Sequence, residues 1–149
     1  MKILVDADAC PVTAIIEQLA QEFQAGVVLI TDVNHLLESD YADIITVGQG
    51  SDAVDYALIN RTSPGDIVVT QDYGVAALAL AKGAAAINQN GRIYSDKNID
   101  RLLFERHLAQ KRRRAGGRFT AVPARRTEDD ESFKRNFRAL LQQATAAEE

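Results

Sequence analysis

The 149-residue sequence has one cysteine, one methionine, three prolines, two histidines and no tryptophan. A lone cysteine, Cys10, excludes an intrachain disulfide framework and any zinc site built on paired cysteines. It precedes a helix but has no Cys-x-x-Cys partner, so it reads as a small buried residue rather than a reactive thiol. His35 and His107 fall in no metal-ligand spacing and read as surface or packing residues. No apolar run approaches the ~18 residues of a membrane span. Ile3-Leu4-Val5 is interrupted at once by Asp6, which leaves no core for a signal peptide, and the expected address is the cytoplasm. What is present is a globular composition, 46% hydrophobic and 26% charged, over a length that suits one domain.

The net charge of −4 is unevenly distributed. Residues 1–100 hold 14 acids and 5 bases, residues 101–126 hold 9 bases and 1 acid, and residues 127–149 hold 6 acids and 3 bases. An acidic body is thus followed by a short, strongly basic segment that contains Lys111-Arg112-Arg113-Arg114. Such asymmetry points to a polyanionic partner, against the plainer reading of a solvated helix face and basic loop.

Ile3–Val5, Val27–Ile30, Ile44–Val47, Ile67–Thr70 and Ala84–Ile87 are short continuous apolar runs. Helical periods separate them. Val12, Ile15, Ile16, Leu19 and Phe23 recur on one face after Pro11. Ser51 can cap a helix to about Asn60, and Val75 to Lys82 is alanine-rich up to Gly83. Ile99, Leu102, Leu103 and Leu108 mark a further helix. Continuous strands alternating with helices predict a parallel sheet covered on both faces. The expectation is a single three-layer α/β domain with about five strands. Its body would occupy residues 1–110, a basic loop 111–127, and a C-terminal helix 128–144 carrying Phe133, Phe137, Leu140 and Leu141, with a frayed tail.

In open α/β sheets the active crevice lies outside the carboxyl ends of the strands. Asp6 and Asp8 follow the first strand, Thr31 and Asp32 the second, Asp52 and Asp55 the third, Asp72 the fourth, and Asn88 and Asn90 the fifth. Several carboxylates therefore converge on one edge, where they cannot all ionise without a counter-charge. Clustered aspartates without cysteine or histidine suit a hard cation, Mg²⁺ or Mn²⁺. Such an ion polarises a phosphoryl oxygen and lowers the pKa of water. Taken singly, each of these positions is equally an ordinary turn or cap residue. Gly48-Gln49-Gly50-Ser51 reads as a tight turn more than a phosphate loop. Tyr73 and Tyr94 could stack bases or simply pack.

Four strings make the sequence specific: Val5-Asp6-Ala7-Asp8-Ala9-Cys10-Pro11-Val12; Asp66 to Gly74; Gly91-Arg92-Ile93-Tyr94 with Asn98-Ile99-Asp100; and Arg113-Arg114-Ala115-Gly116-Gly117-Arg118. Together they resemble the YaiI/YqxD family of small bacterial proteins over nearly the whole chain. That family is grouped with PIN-like nuclease folds, whose members hold Mg²⁺ or Mn²⁺ with clustered acids and cut RNA; its own activity is unassigned. By this resemblance Asp6, Asp8 and Asp72 match the motif acids, and Asp52 and Asp55 the helix acids. The chain departs from the family at Phe119 to Ala124, where a Gly-Pro step is usual. It also departs from PIN nucleases in having no glutamate among the acids.

The resemblance implies a metal-dependent, nuclease-like hydrolase acting on RNA or another phosphodiester. Asp6 and Asp72 would be direct metal ligands, Asp8 and Asp55 would be ligands or would orient water, and Asp52 could hold a second ion. Arg92, Arg113, Arg114 and Arg118 would bind phosphates, since arginine pairs with them bidentately. A non-catalytic RNA- or nucleotide-binding module is the alternative. A haloacid-dehalogenase-like phosphatase with Asp6 as nucleophile ranks third, because Cys10-Pro11 replaces that motif's usual continuation.

Overall fold

A computed structural model describes residues 1–8, 10–50, 52–114 and 124–148. In chain order the elements are β1 (Lys2–Asp6), α1 (Thr13–Glu22), β2 (Gly26–Asp32), β3 (Asp43–Val47), α2 (Ala53–Arg61), β4 (Ile67–Val69), α3 (Tyr73–Ala81), β5 (Ala85–Ile87), β6 (Ile93–Tyr94), α4 (Ile99–Arg114) and α5 (Thr127–Glu148). The strands form one sheet in the order β3-β2-β1-β4-β5-β6. The first five run parallel, in the register Val5 beside Leu29 and Val69. β6 pairs antiparallel with β5, placing Tyr94 beside Ala86.

Alternation along the strands divides the core into two layers. Ile3, Val5, Val27, Leu29, Ile67, Val69 and Ile87 face α1 and α5, whose Ile16, Leu19, Phe133 and Phe137 are fully buried against them. Leu4, Ile30, Val68, Ala86 and Tyr94 face the opposite way, onto Val54 and Leu58 of α2, Ala76 and Ala79 of α3, and Leu102 of α4. This is the three-layer α/β arrangement that the continuous apolar strands predict.

The sheet has six strands rather than about five. β6 is only two residues long, too short to carry a pattern, and follows a turn in which Gly91 sits at φ +90°. The basic segment also differs from expectation. α4 continues to Arg114, so Lys111 to Arg114 are helical and not loop. No glycine or proline interrupts the chain before Gly116, and cations in the last turn complement the helix dipole. α5 starts at Thr127 and reaches Glu148 without fraying at Ala144, since the alanine-rich tail favours helix and the Met1 ammonium pairs with Glu148. No described helix is long and apolar enough to cross a membrane.

Strand order reverses at β1: β2 and β3 extend the sheet on one side, β4 and β5 on the other. A crevice therefore opens at the carboxyl ends of β1 and β4.

Candidate functional site

That crevice is a cleft of about 500 Å³ lined by Asp6, Asp8, Asp32, Gly50, Val54, Asp55, Gln71, Asp72, Tyr73 and Arg106. Among the described residues, five carboxylates and one guanidinium line it. Four of the five sequence-predicted acids, Asp6, Asp8, Asp55 and Asp72, meet there. Asp52 does not line this cleft; it lies on an adjoining groove that shares Asp55 and Asp72.

Two buried threonines at strand ends orient the acids. The Thr70 hydroxyl donates to Asp6 Oδ2 at 3.3 Å and accepts from the Asp72 backbone N–H at 3.1 Å, so one side chain ties both acids together. The Thr31 hydroxyl donates to Asp8 Oδ1 at 2.6 Å. Asp72 caps α3, its Oδ1 accepting from the N–H groups of Gly74 at 2.8 Å and Val75 at 3.1 Å. Its capping role and its place in the cleft coexist, because a carboxylate has acceptor sites to spare. Arg106 approaches Asp72 Oδ1 at 3.6 Å.

The electrostatics record the crowding. Burial first, then the neighbouring Asp55 with smaller additions from Asp8 and Asp72, pushes the Asp6 carboxyl from 3.8 up to about 6, against the opposing Thr70 hydrogen bond. Asp55 is also raised, by burial and then by Asp72 and Asp52, with Arg106 pulling the other way.

The rim adds His35, and Asp32, which the sequence places at this edge without a site role. His35 Nδ1 lies 2.8 Å from Asp32 Oδ1 and 3.3 Å from Asp8 Oδ1. Asp8, Asp32 and His35 each offer a ligand atom within 4.8 Å of the others. The Asp32 hydrogen bond raises the His35 pKa, and the same contact lowers that of Asp32. His35 is a surface residue, as expected, but not an isolated one. Asp32 N–H, at the end of β2, donates to Asp8, which continues the β1–β2 register past the end of β1. No sequence spacing contains that pairing, since 24 residues separate the two. Arg106 was likewise hidden, on a helix whose only visible signal was apolar.

Other predicted residues scatter. Arg92 is exposed beside a separate polar pocket. Arg113 and Arg114 lie two turns beyond Arg106 on α4, about 11 Å along the helix axis. Arg118 and the helix cap read at Ser51 lie outside the described residues. Gly50 has φ +144°, a turn conformation that favours glycine. Tyr94 is buried, donates to the Thr70 carbonyl at 3.2 Å and meets Tyr73 edge-on at 5.9 Å, so it packs and cannot stack a base. Cys10 is half-buried, and burial pushes its thiol up.

Fold and site together define a three-layer α/β protein with an acidic cleft at its switch point. The chain belongs to the YaiI/YqxD family, described as uncharacterized, whose pattern matches residues 4–143. A UPF0178 protein of Clostridium acetobutylicum is 57% identical over 143 residues, which cover 95% of this chain and 97% of the relative. One from Ruminiclostridium cellulolyticum is 58% identical over 135 residues, covering 91% and 88%. One from Exiguobacterium sibiricum is 50% identical over 145 residues, covering 97% and 99%. Among solved structures, Rae1 (YacP) from Bacillus subtilis, as its W164L mutant, aligns over 97% of this chain and 99% of its own. Its identity of 15% and TM-score of 0.40 are too low to carry an argument.

Proposed function

We propose that the chain is a metal-dependent phosphodiesterase acting on RNA. The observation that carries this reading is the charge imbalance of the cleft: among the described residues five carboxylates and one cation, Arg106, line it, and Asp6 is pushed up to about 6. All-oxygen donors from aspartates fit Mg²⁺ or Mn²⁺. Asp8 and Asp32, with His35 at the rim, offer ligand atoms within 4.8 Å of one another and would hold one ion, with His35 favouring Mn²⁺ there; Asp6, Asp55 and Asp72 line the same cleft and would draw together around a second. When bound, such an ion neutralises phosphoryl charge and activates water.

The chain's own residues supply the rest. Thr70 and Thr31 hold Asp6 and Asp8 by hydrogen bonds from the ends of strands, so these two acids are oriented from the sheet itself. Arg106 is placed to pair with a substrate phosphate in exchange for Asp72, at the cost of a long and easily exchanged contact. Arg114, farther along the exposed end of α4, extends that positive track toward a strand lying across the cleft. The resemblance of the YaiI/YqxD family to PIN-like nucleases agrees with this reading.

The test uses Asp6→Asn/Asp72→Asn, in which both side chains keep the oxygen that Thr70 or the α3 N–H groups need. With Mn²⁺ and single-stranded RNA, wild type should cut and the double variant should lose at least about 100-fold in rate, as expected when electrostatic stabilisation is removed. Equal cleavage by the two proteins would sink the proposal. RNA binding without turnover at any divalent ion would leave a binding module.

A further inference from the structure

A second pocket adjoins the acidic cleft and shares Tyr73 with it. Its other lining residues are Asn88, Asn90, Gly91, Arg92, Ser132 and Asn136. Among the described residues no carboxylate lines it, in contrast to the neighbouring cleft.

The hydrogen bonds already made decide what it can bind. Asn88 Oδ1 accepts from the N–H groups of Asn90 at 3.0 Å and Arg92 at 2.9 Å. Asn90 Oδ1 accepts from Arg125 Nη1 at 2.7 Å. Backbone N–H and guanidinium groups only donate, so the amide oxygens must face them. The NH₂ groups of Asn88 and Asn90 are left as donors with no partner among the described residues. Arg92 is exposed and makes no salt bridge among them. Asn136 uses its amide nitrogen on the Gly91 carbonyl at 2.7 Å, leaving one side-chain oxygen as an acceptor. The pocket therefore offers two amide donors, a guanidinium and the Ser132 hydroxyl against that one amide acceptor.

The donors are also held in place. Gly91 packs so closely on α5 that a Cβ there would lie 2.6 Å from the Ser132 carbonyl oxygen. Arg125 further clamps the turn by donating to Gln89 O at 2.8 Å while pairing with Asp130. Donors fixed before binding lose little freedom when the ligand arrives.

We propose that this pocket is an anion subsite that holds a phosphate of the nucleic-acid strand, next to the phosphodiester at the acidic cleft. The proposal rests on the reading of that cleft as a phosphodiester site. Phosphate accepts several hydrogen bonds and pairs bidentately with arginine, which is the chemistry this donor set matches.

The experiment measures binding of a fluorescein-labelled single-stranded oligouridine to the full chain in EDTA, so that cleavage plays no part. Arg92→Gln, an exposed position outside the acidic cleft, should weaken binding about 5- to 10-fold and lower the slope of log affinity against log salt by about 0.7. Inorganic phosphate should shift the side-chain amide signals of Asn88 and Asn90 in ¹⁵N–¹H spectra. Unchanged affinity and slope in Arg92→Gln would overturn the subsite, as would wild type that does not bind the RNA at low salt. Amide shifts with phosphate but no Arg92 effect on RNA would assign the pocket to a free phosphate ligand and overturn the strand assignment. The two readings fail separately: the cleft reading on Mn²⁺-dependent cleavage, the subsite on EDTA binding.

Discussion

Asp6→Asn should make the metal-free protein more stable at neutral pH. The folded carboxyl ionises near 6 where an unperturbed one ionises at 3.8, mainly because it is buried and secondly because Asp55 faces it. Between those two values the folded chain binds more protons at Asp6 than the unfolded chain does. Stability therefore falls as pH rises through this window, and levels off above it. The full shift corresponds to about 3 kcal/mol. The cleft is open to solvent, and screening reduces the effect to about 2 kcal/mol. The amide oxygen of asparagine can still accept from Thr70, so the substitution removes charge and little else. Urea or thermal unfolding in EDTA should show Asp6→Asn more stable than wild type by about 2 kcal/mol at pH 7.5, a gain of about 6 °C in midpoint. The gain should shrink toward zero at pH 4. Millimolar Mn²⁺ should raise the wild-type midpoint and move that of the variant far less, since ligand that binds only the folded state stabilises it. A variant that matches wild type or unfolds more easily in EDTA at pH 7.5 would refute the claim that uncompensated charge is stored at this edge.

Two further outcomes follow from residues away from the cleft. Asp66 is buried and accepts from the backbone N–H and the ammonium of Lys2 at 3.1 and 2.7 Å and from Ser63 N–H at 2.8 Å; Asp66→Ala strands these donors and should cost about 2–3 kcal/mol in urea unfolding at neutral pH, so a cost under about half a kcal/mol would contradict the anchoring role. Cys10 is raised by burial and secondarily by Asp6; alkylation by iodoacetamide at pH 7 should run well below the rate of free cysteine and speed up on unfolding in urea, whereas a rate equal to that of free cysteine would show a reactive thiol.

Much of the fold was readable because continuous apolar strands separated by helical periods leave few alternatives. Ile3–Val5, Val27–Ile30 and Ile67–Val69 are strands for the same reason that they are buried on both faces. The gathering of Asp6, Asp55 and Asp72 was readable from the rule that chain ends of parallel strands share an edge. β6 was not, because two residues carry no period and its pairing depends on a glycine turn braced by α5. Asp32 reads at this edge, but its link to Asp8, and the approach of His35 to both, depend on the β1–β2 register, which no sequence spacing contains. Arg106 escaped because a cation on an amphipathic helix looks the same whether it meets water or a carboxylate. The basic run 111–114 reads as loop by its charge, although its residues favour helix and α4 runs through to Arg114.

The position of α5 has a consequence for synthesis. Its Phe133 and Phe137, stacked at 5.1 Å, complete the cover that α1 begins over the sheet face formed by β1, β2 and β4, strands made well before α5. At about 5–20 residues per second, the nascent chain carries Ile3, Val5, Val27 and Ile67 for several seconds with α1 alone to cover them. Helix α5 also braces the Asn88–Arg92 turn. A nascent chain therefore has no finished Asn88–Arg92 pocket until α5 has left the ribosomal tunnel, and a ribosome stalled beyond residue 114 displays a sheet face that α1 covers only in part.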